Sequence, residues 1–273
     1  MNTQFPLSPG PRPFETLALS EPVPGVTVVT LNRPQSLNAL NTTMMAEIGQ
    51  CFAAYYVDPG LARCLVLTGA GDRAFCAGAD LKERNGMTDE VWRRQHAILE
   101  QSIRQMADCP VPIIAAVNGA AFAGGCELAL ACDFIYAADH ARFAQTEVAL
   151  GIIPGAMGTQ NLPRAVGLRR AKEVILAGTP FSAAEAHDWG LVNRVMPGAE
   201  LMPAVLAVAA RIAANAPVAV RQAKAAVGKS ADLDRANGYA YEIEAYNRTV
   251  GTDDRREGIA AFNEKRKPDF KGR

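Results

Sequence analysis

Residues 113–133 read IIAAVNGAAFAGGCELALACD, and the order of textures in this stretch sets the layout around it. Residues 113–117 are a continuous apolar, strand-like run. Asn118-Gly119 is a turn signal, and Gly124 and Gly125 lead into CELALAC, which has the composition of a helix start. A strand, a glycine-rich turn and a helix N-terminus leave backbone N–H groups unpaired and aimed at a common point. The helix dipole makes that point favourable for negative charge. Glu127 stands in the first helical turn among Cys126, Leu128, Ala129 and Leu130. Backbone donors beside a carboxylate in apolar surroundings are what oxyanion stabilisation and proton transfer require. A carboxylate that only complements the helix dipole has the same local sequence, so both readings stand at this point.

Upstream, residues 64–68 (CLVLT) are a second short apolar run, as in a strand buried on both faces. Residues 14–20 and 26–31 read as a hairpin around EPVPG. Asn41 or Thr42 caps a helix running to about residue 56, which Asp58-Pro59-Gly60 breaks. Strand, helix, strand suggests a βαβ crossover. Residues 69–83, GAGDRAFCAGADLKE, read as a loop poor in bulky side chains, which lets backbone approach a ligand. Residues 88–107 read as a long helix.

Downstream, residues 134–137 (FIYA) are a third buried-type strand, and the three strands imply an α/β layered core. Residues 143–153, FAQTEVALGII, carry one carboxylate, Glu147. Residues 156–168 and 171–177 read as helical, Ser182 caps a short helix closed by Gly190, and residues 191–195 read as a last strand. From about residue 200 four helical patterns follow, at 200–214, 217–228, 231–249 and 253–265, ending in a basic tail, KRKPDFKGR. The expected division is a core at 14–199 and a helical region at 200–273. Residues 1–13 are Pro-rich and expected to be disordered.

Lys+Arg and Asp+Glu both number 28, so no net charge draws nucleic acid or an anionic membrane. No apolar run is long enough to span a bilayer, and the N-terminus shows no targeting pattern, which points to a cytoplasmic protein. Cysteines 51, 64, 76, 109, 126 and 132 form no CxxC pair and sit mostly in apolar runs, as reduced buried thiols do. No histidine neighbours Cys76 or Cys126 in sequence, so a thiol nucleophile is not expected. His96, His140 and His187 lack ligand spacing, so no metal site is expected.

Glu127 and Glu147 bracket the strand at 134–137. Facing each other across a pocket, they would share general acid and general base work, with apolar surroundings raising the pKa of one. The alternative for Glu147 is burial in an ion pair with Arg142 or Arg164.

The ordered segments LNRPQSLNAL, AFCAGADLKE, PVPIIAAVNGAAFAGGCELALACD and FAQTEVALGIIPGAMGTQNLPRAVG resemble the crotonase superfamily, specifically its enoyl-CoA hydratases, over about residues 14–270. The resemblance implies a spiral of ββα turns followed by a helical region that assembles homotrimers, commonly paired into hexamers. It implies an acyl-CoA thioester as partner, no cofactor beyond the CoA of the substrate, and water added to a trans-2-enoyl-CoA. Isomerisation, hydration of a branched methylglutaconyl-type substrate, and acyl-CoA or RNA binding without turnover are the alternatives within the family.

Carried over by motif, the backbone N–H groups of Ala79 and Gly124 form the oxyanion hole, and Glu127 and Glu147 are the two acids. Ala77, Ala79, Asp80, Leu81 and Lys82 line one side of the CoA site and Leu37 the other. Phe262 and Lys265 reach CoA from a neighbouring subunit, which gives the basic tail a phosphate-binding role. The chain departs from the pattern at Thr146, where many hydratases have proline, and at Met157, which interrupts a glycine run and is expected to reshape the acyl pocket. Residues 84–100 are expected to set acyl specificity; Met87 and Trp92 are pocket candidates there, with core packing the first expectation for Trp92.

Overall fold

The computed structural model describes residues 14–273; the Pro-rich stretch expected to be disordered lies outside the described residues. The chain builds β1 (Leu17–Val23), β2 (Val26–Leu31), α1 (Thr42–Val57), β3 (Cys64–Gly69), β4 (Ala74–Cys76), α2 (Leu81–Arg84) and α3 (Asp89–Ala107). Then come β5 (Ile113–Val117), β6 (Ala120–Phe122), α4 (Gly124–Leu130), β7 (Phe134–Ala138), β8 (Arg142–Ala144), α5 (Gly158–Val166) and α6 (Leu168–Ala177). β9 (Phe181–Ser182), α7 (Ala183–Asp188), β10 (Arg194–Met196), α8 (Gly198–Ala213), α9 (Pro217–Lys229), α10 (Arg235–Val250) and α11 (Asp253–Asn263) complete it.

The strands form two sheets. The larger has the order β1-β2-β3-β5-β7-β10, antiparallel only at β1–β2, and the smaller has the order β4-β6-β8-β9. The pairs β3/β4, β5/β6 and β7/β8 each send their first strand to the large sheet and their second to the small one, before a helix returns the chain. That is the expected ββα spiral. The apolar runs of β3 and β5 are buried along their whole length, as parallel strands covered on both faces must be. Helices α1 and α3 pack on each other through side chains such as Phe52, Ile103 and Met106, all buried.

Several expectations need correction. The first strand runs from 17 to 23, past Pro22, which an edge strand tolerates. β4, β6 and β8 lie in segments with no legible strand, the first within the expected loop at 69–83. The last strand is 194–196 rather than 191–195: Leu191 and Val192 are apolar because they are buried, and their N–H groups cap α7 through the Ala186 carbonyl. The boundary expected between 199 and 200 falls inside α8, whose Leu201, Val205 and Ala209 are buried against the large sheet. The helices that stand off are α9 to α11, with Ala245, Asp254 and Ala261 their only buried residues.

The basic tail is not a free end. Asp254 accepts from the N–H groups of Lys271 and Gly272, Arg266 pairs with Glu257 at 2.6 Å, and Arg63 donates to the Phe270 carbonyl at 2.7 Å. Among the described residues no single helix is long and apolar enough to cross a membrane.

Candidate active site

The site forms where the β4–α2 and β6–α4 connections run side by side. Residues 37–40 hold the first of them: Ala77 N–H donates to the Leu37 carbonyl, Leu40 N–H to the Gly78 carbonyl, and Asp80 N–H to the Leu40 carbonyl. Arg33 pairs with Asp80 at 3.0 Å, and the Asp80 carboxylate also caps α2 through the N–H groups of Lys82 and Glu83. Asn38 is fully buried and donates to the carbonyls of Ala70 and Ala74. These contacts leave the Ala79 N–H with no protein acceptor among the described residues.

The second connection ends at Ala123, which donates to the Ala144 carbonyl of β8 and adopts φ 48, ψ −123. An alanine at positive φ stores strain of about 1–3 kcal/mol, a cost that surrounding packing must hold in place. The strained residue sets the direction of the next amide, Gly124, whose N–H is one of the unpaired donors at the start of α4. A Cβ placed on Gly124 would stand 4.0 Å from the Ala79 nitrogen, so the two free amides are neighbours. Gly78, at φ +93, lies between them: a Cβ there would meet the Phe122 carbonyl oxygen at 2.9 Å and the Gly124 nitrogen at 3.4 Å.

Both carboxylates reach the same cavity, of about 730 Å³, which Ala79 and Gly124 also line. Glu127 is 3% exposed, and its Oε1 accepts from the N–H groups of Ala156 and Gly158, each at 2.8 Å. Burial raises its pKa and the two backbone donors oppose that rise. Glu147 opens a 3-10 turn, Glu147–Leu150, and is 5% exposed, with neither carboxylate oxygen hydrogen-bonded. Burial first, and then the negative charge of Glu127, push its pKa up to about 7. The alternative ion pairs are not formed: both Glu147 carboxylate oxygens lack a partner, and Arg164 pairs with Asp232.

Two backbone donors thus favour the charged form of Glu127, whereas Glu147 has none and is pushed toward its protonated form. The nearby thiols are not competitors: Cys76 and Cys126 do not line the cavity, and burial pushes both up to about 12. Another groove, of about 660 Å³, runs beside Leu168, Arg170 and Trp189; it holds no acid pair, and its Glu173 is tied to Arg170.

The remaining sequence-predicted residues divide. Ala77 and Leu81 line the cavity with Ala79, whereas Leu37, Asp80 and Lys82 do not. Leu37 instead takes up φ 53 next to the β4–α2 connection, and Asp80 anchors it. Phe262, 84% exposed, and Lys265, which makes no ion pair among the described residues, are absent from the cavity of their own chain. Trp92 lines the cavity; Met87 does not. Met157 does not line it either. Its contribution is a left-handed backbone, φ 69, that turns the Ala156 and Gly158 amides onto Glu127. Sequence reasoning missed Arg33, Asn38 and Gly78, which act through backbone placement; within the segment 84–100 it did not single out Arg84 and His96, which line the cavity.

Comparison with known proteins gives the same region of protein space. The profile of the family described as enoyl-CoA hydratase/isomerase matches residues 22–273. The chain is 42% identical over 245 residues to the crotonyl-CoA hydratase of Syntrophomonas wolfei, covering 89% of this chain and 93% of that one. It is 41% identical over 249 residues to the short-chain-enoyl-CoA hydratase of Clostridium acetobutylicum, covering 91% and 95%. The crystal structure of an enoyl-CoA hydratase from Bacillus anthracis superposes with a TM-score of 0.93 at 42% identity, covering 95% of this chain and all of that one.

Proposed function

The chain belongs to the enoyl-CoA hydratase/isomerase family, and on that premise we propose that it adds water to trans-2-enoyl-CoA thioesters, giving 3-hydroxyacyl-CoA. The observation that carries this is the buried pair of unequal acids facing one cavity, Glu127 with two backbone donors and Glu147 with none. The thioester oxygen accepts from the N–H groups of Ala79 and Gly124, which stabilise the enolate as charge develops there. The Glu127 carboxylate takes a proton from the water whose oxygen adds to C3. Glu147, as the acid, delivers a proton to C2 from the same side. The pair then holds its proton on Glu127, and return of that proton to Glu147 resets the site with no net proton exchanged. CoA enters as part of the substrate, and the steps require amides and carboxylates rather than a metal or redox cofactor.

The competent state is the singly protonated pair. Burial and the Glu127 charge disfavour the ionised Glu147, so the proton stays below pH about 7 and is lost above it. With crotonyl-CoA, kcat/KM is expected to fall on the alkaline side with a midpoint near 7. Because hydration and dehydration use the same total protonation, their kcat/KM profiles must superimpose. A rate flat from about pH 6 to 9, or no 3-hydroxybutyryl-CoA formed at any pH, rejects the reading.

The exposed apolar stripe Tyr239, Ile243, Tyr246 and Val250 on α10, together with Phe262, supports assembly as a homotrimer or a dimer of trimers. A neighbouring copy would then bring Phe262 and Lys265 to the CoA site. Light scattering is expected to give a multiple of three chain masses, and a monomer at micromolar concentration contradicts it. The six free cysteines, five of them buried, fit a reducing, cytoplasmic setting.

A further inference from the structure

The wall of the cavity formed by α2 and α3 carries a buried cation that the hydration chemistry does not use. Arg84 ends α2, lines the cavity, and is 6% exposed. Among the described residues only Nε of its guanidinium has a hydrogen-bond partner, the Gln95 Oε1 at 2.7 Å; Nη2 is buried with none. No carboxylate forms an ion pair with it. Its sequence neighbour Glu83 instead accepts from the Thr42 N–H and from Gln95 Nε2. Gln95 Nε2 also donates to Thr42 Oγ1, which fixes the amide so that its oxygen faces Arg84. The guanidinium carbon lies over the Trp92 ring, 4.4 Å from the centroid, so one face is covered while Nη2 stays unsatisfied.

A buried, unpaired guanidinium is costly, and arginine cannot relieve the cost by shedding its proton. Such a group is stable in function only if something brings it a negative charge. Its fork of donors matches a carboxylate better than any other small group.

The position of Arg84 says which part of a substrate could do so. Trp92 is one helical turn from His96 on α3, and the His96 ring packs on Gly155, where a Cβ would meet its Cε1 at 2.5 Å. Gly155 adjoins Ala156, which donates to Glu127. The order Arg84, Trp92, His96, Gly155, Glu127 thus follows one cavity wall from the cation to the reacting acids. His96 has no hydrogen-bond partner among the described residues and Arg93 also lines this wall, so its polar groups are mostly cationic or neutral. The one acid on it besides the catalytic pair, Glu100, is engaged by Arg104.

From this arrangement we propose that the preferred substrate is an enoyl-CoA whose acyl chain ends in a carboxylate, received by Arg84. The proposal rests on the hydratase reading and narrows its substrate class. Arg84 is a specificity residue here; it takes no part in adding water.

The test compares two thioesters of the same chain length, glutaconyl-CoA and trans-2-pentenoyl-CoA, which differ only in a terminal carboxylate against a methyl group. The wild-type protein is expected to favour glutaconyl-CoA in kcat/KM by about tenfold to a hundredfold, the range for a hydrogen-bonded charge pair. In Arg84→Gln that ratio is expected to fall to one or below, and in Arg84→Lys to be partly kept. The ratio carries the result, so a general loss from mispacking cancels out. A wild-type preference for pentenoyl-CoA overturns the proposal. So does an Arg84→Gln variant in which KM rises equally for both thioesters, which would assign the cation to the CoA phosphates. Turnover of neither substrate by the wild type sinks the hydratase reading itself.

Discussion

Glu147→Gln is expected to lower kcat/KM for an enoyl-CoA by about 10²–10⁴-fold, the range over which a positioned acid or base acts. The substitution preserves shape and removes the proton that the structure keeps on Glu147 up to about pH 7. Glu127→Gln is expected to fall in the same range for a different reason. Its amide oxygen can still accept from Ala156 and Gly158, so the loop keeps its place, but no group remains to take a proton from water. Removing both acids should cost little more than removing one, since the two act as a unit. Near-normal hydration by either single variant removes that residue from the mechanism.

The same substitution has a stability signature of opposite sense. Glu147 has a folded-state pKa raised from 4.5 to about 7, so its contribution is intact below pH 4.5 and is lost as pH rises through 7. The ionised carboxylate costs at most about 3 kcal/mol above that point, less what solvent in the cavity screens. Glutamine carries no such penalty. The Tm of Glu147→Gln relative to wild type is therefore expected to be higher at pH 8 than at pH 5. An equal Tm difference at both pH values means that Glu147 titrates as an ordinary surface carboxylate, and the acid assignment falls with it.

What could be read in the chain before folding was whatever a single segment expresses by itself. The apolar runs of β3, β5 and β7 are long enough to be strands on their own, and the glycine-rich start of α4 shows where free amides lie. β4, β6 and β8 have three residues each, too few for a period, and exist only because the spiral stacks them. Whether Glu147 was paired was equally illegible, because Arg164 is drawn off by Asp232, 68 residues further along. Met157 shows the limit from the other side. A bulky residue in a glycine run suggests a steric effect on the pocket. Yet the folded chain uses that position for its left-handed backbone, and the exposed side chain does not line the cavity. Arg84 opens the segment 84–100 expected to set acyl specificity, but only its burial singles it out within that segment.

Gly78→Ala is expected to reduce kcat by about 10²–10³-fold, as loss of one oxyanion donor does elsewhere. A Cβ at this position would stand 2.9 Å from the Phe122 carbonyl oxygen and 3.0 Å from the Ala123 Cβ. The flexible end of a side chain could yield, but here the obstacles are main chain and the base of a strained residue. The β4–α2 connection must therefore move away from the start of α4, and the Ala79 and Gly124 amides separate. Neither carboxylate is touched, so the alkaline limb near pH 7 should persist in the residual activity. The variant also places alanine at φ +93, which costs about 1–3 kcal/mol of stability in its own right. Gly167→Ala separates the two effects. Gly167 has φ +79 with nothing within 4 Å of a Cβ, so it incurs the backbone strain without displacing either amide. Its Tm should drop by a comparable amount while kcat stays within about twofold of wild type, as expected for a position outside the site. Equal kcat losses in the two variants would trace the Gly78 effect to general destabilisation, and the paired amides would lose their claim to the enolate oxygen.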